Sequence, residues 1–416
     1  MQVGFGEFPA TECWGNGARG AAGFAAGAPV TVPTPLVGSQ GFAAVEAGAS
    51  HTCAVLVQGQ VVCWGSNTVG QVGVSPVGGT ESTPLAVNGM DGVVQLAAGA
   101  GHTCALRYDG TVWCWGDDAV GQLGDGAPSG ISTAPVQVLS SGGPMTGIVE
   151  LVAGSNHTCA RADDGTVRCW GFNLFGQLGD GTTSNRTEAT GTSGLGAVIT
   201  LAAGPNHTCA MAVNLLVRCW GLNFDGQLGN GATGSTSTAP VTVVGLSTPV
   251  VGLTGGVAHS CAVVPGTSAV CWGANSFGQL GDGTTGPAVG AVTGPAGVGS
   301  VVRQVAAGDQ HTCAVVWAEF ASSASCWGLN GSGQLGRNST ATPGTTPAPV
   351  LDELALTLLL VLQVDGGSGH SCALSGALSG GDPTIGVVQC WGANESGQLG
   401  DGTLDQRSVA RVITST

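Results

Sequence analysis

"HTCALRYDGTVWCWG", residues 102–116, places one histidine and two cysteines beside aromatic rings. Those side chains suit a metal site, a redox pair, a nucleophile with its base, or a covalent staple across a hairpin. Repetition narrows the choice. His-Thr/Ser-Cys begins at His51, His102, His157, His207, His259, His311 and His370, at spacings of 51, 55, 50, 52, 52 and 59 residues. Cys-Trp-Gly follows each one, and then Asn (once Asp)-x-x-Gly-Gln-Leu/Val-Gly, as in "NLFGQLG" from Asn173. Seven copies of one unit fill the chain, with nothing between them long enough for a separate domain.

Each unit reads as short strands: "VVQLAAG", "HTCALRY", "TVWCWG" and "APVQVL" (134–139) in the second copy. Asp109-Gly110 joins the second to the third as a hairpin, with glycine in the left-handed bulge position of a three-residue loop. Four short strands per repeat, seven times over, predict an all-β, seven-bladed β-propeller with antiparallel blades. The repeats begin near 43, 93, 148, 197, 250, 301 and 358, so residues 38–416 form the propeller. Residues 1–37 read as an extra N-terminal half-repeat, because "ATECWGNG" supplies an eighth Cys-Trp-Gly with no histidine motif before it. That segment is expected to compete for the seam of the ring or to pack outside it. The alternative is that it joins the closing blade and displaces the C-terminal strand.

Counting outward from the Tyr108-Asp109-Gly110 loop pairs Arg107 with Thr111, Leu106 with Val112 and Cys104 with Cys114. The cysteines then face each other in a non-hydrogen-bonded position, at a Cα separation of ~4.5 Å, which a disulfide can span. The spacing grows from 10 residues in five hairpins to 13 and 18 in the last two, while both cysteines stay on their motifs. Partners that meet across strands behave this way; a Cys-x-x-Cys redox motif or a zinc site does not. Seven bonds are expected: Cys53–Cys63, Cys104–Cys114, Cys159–Cys169, Cys209–Cys219, Cys261–Cys271, Cys313–Cys326 and Cys372–Cys390, with Cys13 unpaired. Reduced core thiols are the alternative.

The pattern His-Thr-x-Ala-Leu, Asp-Gly-x-Val, Cys-Trp-Gly-x-Asn-x-x-Gly-Gln-Leu-Gly resembles the regulator of chromosome condensation repeat over about residues 10–416. The resemblance implies a seven-bladed propeller. It also implies an alternative function, guanine-nucleotide exchange on a Ran-like small GTPase, as in the family's founder. No exchange residues carry over, and no basic tail for chromatin is visible. An ultraviolet-sensing branch of the family carries Gly-Trp-Arg-His-Thr; none of the seven motifs here is preceded by those residues.

No residue of the unit stands out as catalytic. All seven histidines lie in the repeat, so each reads as a structural imidazole tying a strand start to neighbouring backbone. Trp64, Trp115, Trp170, Trp220, Trp272, Trp327 and Trp391 read as packing, as does Trp14 in the half-repeat. In Gly-Gln-Leu-Gly the glycines permit turns, glutamine bonds backbone and leucine plugs the adjoining blade. Asp125, Asp180, Asp282 and Asp401 precede glycine as turn residues, without the ligand ladder of a calcium loop.

The formal charge of −15, with ten basic residues that are all arginine, disfavours nucleic acid and anionic membranes as partners. The apolar run "LALTLLLVLQV" (354–364) is shorter than the ~20 residues of a membrane helix and reads as a buried strand. These features point to a non-enzymatic protein-binding or structural scaffold without cofactor or metal, its partner unknown. The partner site is expected in the variable segments 75–92, 126–147, 182–197, 284–300, 318–325, 338–353 and 375–386. Paired cysteines imply an extracellular or cell-envelope setting. "MQVGFGEFPATECWG" lacks the charged and apolar regions of a signal peptide, so the chain is expected to be a fragment whose upstream part carries one. Peptide mapping without reductant is expected to recover the seven within-hairpin bonds; mostly free cysteines, or bridges between repeats, would overturn the staple.

Overall fold

The computed structural model describes residues 12–15, 30–35, 42–128, 130–246, 248–266, 268–286, 289–295, 301–318, 321–376, 386–396, 398–399 and 401–412. It is all-β, with seven four-stranded antiparallel sheets arranged as the blades of a propeller. The innermost strands of the blades are Phe42–Ala47, Val93–Ala98, Ile148–Ala153, Val198–Ala203, Gly252–Gly255, Val301–Ala307 and Val361–Gly366. Each sheet then runs outward in chain order, in blade two through His102–Arg107, Val112–Asp118 and Gly130–Gln137. Blade seven contains its own outer strand, Arg407–Val412. Glu12–Gly15 pairs with Val30–Pro35 in a separate two-stranded sheet. The side chain of Cys13 lies outside the described residues.

The hairpin follows from its loop. Gly110 takes φ 77°, its amide donates to the Arg107 carbonyl at 2.9 Å, and Cys104 stands opposite Cys114. All seven expected cysteine pairs are bonded, each with a Cα separation of 4.1 Å. In blade six the ladder lengthens to the pair Ala318–Ala321, which absorbs the wider spacing without disturbing Cys313 and Cys326. The fourth strand of blade two begins earlier than "APVQVL" suggests and slips in register between Ser132 and Val136. Pro135 lies within the slip, and proline has no amide to give the ladder.

Six hydrophobic clusters each join two successive blades, and a seventh, around Trp64, lies within blade one. Leu106, Val112, Leu123 and Val138 of blade two pack with Ile148, Leu151 and Trp170 of blade three. The seven Cys-Trp-Gly tryptophans from Trp64 to Trp391 are fully buried. Burying an indole contributes on the order of 4–6 kcal/mol by area, as an upper bound. The run 354–364 departs from its expected form. The strand there is Val361–Gly366, and only Leu358, Val361 and Val364 are buried, whereas Leu354 is 78% exposed. Leu351 and Thr357 bridge across a tight connection that turns the intervening leucines outward.

The residue that follows each inner strand is a glycine for a steric reason. A Cβ on Gly154 would enter the His157 ring and would lie 2.6 Å from the Gly204 carbonyl oxygen of the next blade. The same double clash recurs at Gly48, Gly99, Gly204, Gly256 and Gly308. Gly154→Ala is expected to lower the unfolding free energy by roughly 3 kcal/mol, the upper end for overpacking. Gly191→Ala, where no atom lies within 4 Å, should change it by less than about 0.5 kcal/mol. Denaturant midpoints check the pair, and equal midpoints would refute the close approach.

Candidate binding surface

The repeated polar residues join each blade to the next. The Nε2 atom of His51 donates to Thr103 at 2.8 Å, His102 to Thr158 at 2.9 Å and His157 to Thr208 at 2.9 Å. His207 bonds Ser260, His259 bonds Thr312 and His311 bonds Ser371 in the same way. The hydroxyl in turn donates to the glutamine carbonyl of the preceding blade, as Thr208 does to Gln177 at 3.1 Å and Thr312 to Gln279 at 2.9 Å. The same carbonyl accepts the tryptophan N–H: Trp115 on Gln71 at 3.0 Å, Trp170 on Gln122 at 2.8 Å, Trp220 on Gln177 at 2.8 Å. Trp272, Trp327 and Trp391 repeat the bond on Gln227, Gln279 and Gln334.

With their protons used on the carbonyl, Thr103, Thr208, Ser260, Thr312 and Ser371 have only lone pairs for the imidazole, which assigns the Nε2–H tautomer to their histidines. The Nδ1 atoms of His51, His102, His157, His207, His259 and His311 are buried without a partner. Sequence reasoning tied both ring nitrogens to backbone; the structure instead puts one on a side-chain hydroxyl and leaves the other bare. The available signal was that Thr or Ser always follows the histidine. Burial lowers His51, His207 and His311 to about 4. It lowers His102, His157 and His259 to about 3, helped by neighbouring imidazoles. His370 is lowered by burial as well.

The Asn-x-x-Gly-Gln-Leu-Gly loop is closed on itself. Asn173 accepts the Leu178 amide at 3.0 Å and donates to Asp180 at 3.2 Å, and Gln177 accepts the Phe175 amide at 3.0 Å. Asp180 also takes Thr182 and Arg186, so its carboxylate is committed to holding the turn. Asp401 is held likewise by Thr403 and Arg407.

Inner strands line two cavities, about 440 and 340 Å³, which share Ala98, Ala153 and Ala203. Their walls are mainly alanine, glycine and leucine. Glu46 supplies a carboxylate to the larger and Asp309 to the smaller. Desolvation, and then the charge of Asp365, raise Glu46 to about 7. Glu150, on the inner strand of blade three, is bonded to Arg161 at 2.6 Å and to Thr200 at 2.9 Å.

The expected variable segments lie around the rim, and their described fourth strands, such as Thr80–Ala86 and Gly344–Pro349, sit one per blade rather than in one place. Parts of 284–300, 318–325 and 375–386 lie outside the described residues. A cluster that sequence reasoning did not select occurs on the Gly-Gln-Leu-Gly loops of blades three and four. Phe172 and Phe175 meet edge-on with centroids 5.9 Å apart, and Phe175 meets Phe224 of the next blade at 6.4 Å. Phe224 is 55% exposed and the adjoining Leu174 61%. The signal was present in the x positions of Asn-x-x-Gly-Gln-Leu-Gly. They read Leu174-Phe175 and Phe224-Asp225 here, but Gly331-Ser332 and Glu395-Ser396 in the last two copies.

The model of the "Regulator of chromosome condensation (RCC1) repeat" matches residues 58–106, 109–161, 164–211, 217–263 and 271–315. A second model of the same repeat matches 42–71, 93–122, 148–177 and 198–227. The chain is 33% identical over 174 residues to the ultraviolet-B receptor UVR8 of Arabidopsis thaliana, covering 40% of this chain and 38% of the receptor. It is 29% identical over 311 residues to the human E3 ubiquitin-protein ligase HERC2, covering 72% of this chain and 5% of the ligase. Among solved structures it resembles Prp20p of Saccharomyces cerevisiae, a protein described with its binding to Gsp1p and histones. That likeness has a TM-score of 0.68 at 22% identity and covers 87% of this chain and 90% of Prp20p.

Stability is expected to fall as pH drops below about 6.5. The unfolded chain then takes up protons that the buried imidazoles refuse until about 3–4. Each such histidine contributes a slope of up to ~1.4 kcal/mol per pH unit in that window. Glu46, held protonated to about 7, acts in the opposite sense, as do the raised Asp365 and Asp309, but six imidazoles outweigh them. Urea unfolding across pH 4–7 measures the slope, and His157→Gln should reduce it by about one proton; an unchanged slope would refute the neutral buried imidazole.

Proposed function

Since the chain belongs to the regulator of chromosome condensation (RCC1) repeat family, we propose that it is a non-enzymatic scaffold that binds a protein partner through residues outside the repeated pattern. One observation carries this reading. Six histidines, their hydroxyl partners and the glutamine carbonyls are spent on junctions between blades, so among the described residues these repeated polar groups serve the frame. What differs between blades, and so what can carry specificity, is the set of loop residues on a rigid frame. The seven buried cysteine pairs support an oxidising setting, extracellular or at the cell envelope. The formal charge of −15 argues for a protein partner over nucleic acid.

Nucleotide exchange on a Ran-like small GTPase is the second reading, favoured by the likeness to Prp20p. Two measurements separate them. The purified chain is expected to leave nucleotide release from a Ran-type GTPase unaccelerated; catalysed release at micromolar protein would promote the second reading. Carboxylate-directed cross-linking in extract from its source is expected to join the chain to a protein through loop residues. Lysine chemistry is no use here, because every basic residue is arginine. Failure to find any cross-linked protein would overturn the scaffold.

A further inference from the structure

The aromatic cluster differs from the rest of its face. Exposed apolar side chains scattered singly are ordinary, but a contiguous group marks an interaction site. Phe172, Phe175 and Phe224 form such a group across the junction of blades three and four, and the exposed Leu174 adjoins Phe175 in sequence. They are held rigidly. Gln177 caps the Phe175 amide, Asn173 anchors Leu178, and Gln227 caps the Asp225 amide at 2.9 Å. A partner therefore meets a preformed surface and loses little affinity to ordering it.

The charge around the cluster is predominantly negative. The loops of blades two to five, residues 117–128, 172–185, 222–234 and 274–286, contain no basic residue and six aspartates; Asp118 is buried and Asp180 is paired with Arg186, which leaves Asp117, Asp125, Asp225 and Asp282 to set the field. Arg186, next in sequence, is taken by Asp180 at 2.6 Å. Asp225 adjoins Phe224 and is itself exposed. Among the described residues of these loops the carboxylates outnumber the one neighbouring cation, and their field favours a basic ligand.

We propose that the Leu174–Phe175–Phe224 surface docks a basic polypeptide segment that presents an aliphatic or aromatic side chain. The anchor packs between the rings while its flanking arginine or lysine residues face the aspartates of neighbouring loops. This rests on the scaffold reading and names the chemistry of its partner. Aromatic anchors dominate the energetics of such contacts, and the surrounding charges set approach and discrimination.

The test uses the full chain and three synthetic peptides of about twelve residues, followed by fluorescence anisotropy at physiological salt. One peptide is rich in arginine and lysine with a central Leu-Phe pair, one replaces that pair with Ser-Ser, and one replaces the basic residues with glutamate. The first is expected to bind, and the other two at least tenfold more weakly, a difference of about 1.4 kcal/mol. Leu174→Ser combined with Phe224→Ser should cost the first peptide at least tenfold, while Leu354→Ser, on a separate exposed surface, should cost nothing. If the double variant does not fold, Asp225→Arg, at an exposed position, supplies the same discrimination through charge. Equal binding by the variants, equal binding by the acidic peptide, or no binding by the basic one overturns the proposal. Cross-links that join a partner to other loops, alongside a failed peptide assay, remove this inference alone; absence of any cross-linked partner removes the scaffold reading.

Discussion

One carbonyl oxygen per blade holds the ring together. The glutamine carbonyl in Gly-Gln-Leu-Gly accepts an indole N–H and a hydroxyl from the following blade, as Gln177 does from Trp220 and Thr208. Both donors come from strands joined by the blade's disulfide, so the bond at the junction and the staple within the blade brace the same hairpin. The histidine of the earlier blade then completes the hydroxyl's hydrogen bonding. Removing any one of the four groups would strand a buried polar partner, which costs more than the lost bond itself. That cost explains why histidine, hydroxyl, tryptophan and glutamine recur together and not separately.

The fold was legible because its two periods are simple. A unit of about 50 residues counted the blades, and the Asp-Gly hairpin set the register that brought Cys104 opposite Cys114. What escaped was anything decided between blades. His157 finds Thr208 51 residues away, and no local pattern predicts which nitrogen it uses. The 354–364 run misled for the opposite reason: it was read by composition alone, while a tight connection before Val361 turned its leucines outward. The Phe175–Phe224 contact likewise joins residues of successive repeats, at positions that look merely variable in each copy taken alone.

Arginine serves as a structural cation here. Arg186 and Arg407 tie outer strands to their own loops through Asp180 and Asp401, and Arg218 donates to the carbonyls of Gly194 and Leu195. A guanidinium can make several fixed bonds at once, which a lysine ammonium cannot hold in one plane. Spending these cations on the frame leaves the loop face of blades two to five predominantly anionic.

Every junction of this kind has a direction. A blade offers its glutamine carbonyl and imidazole forward and receives the next blade's indole and hydroxyl, as Gln177 and His157 do toward Trp220 and Thr208. Because the connector is polarised and nearly the same at six successive joints, any forward half fits any receiving half. Excising one whole unit from the middle of the chain would leave a new joint chemically identical to the two it replaced, whereas excising half a unit would strand unmatched groups on both sides. Length can therefore change only in whole steps, and the number of blades is limited by how a circle closes rather than by how neighbours recognise each other.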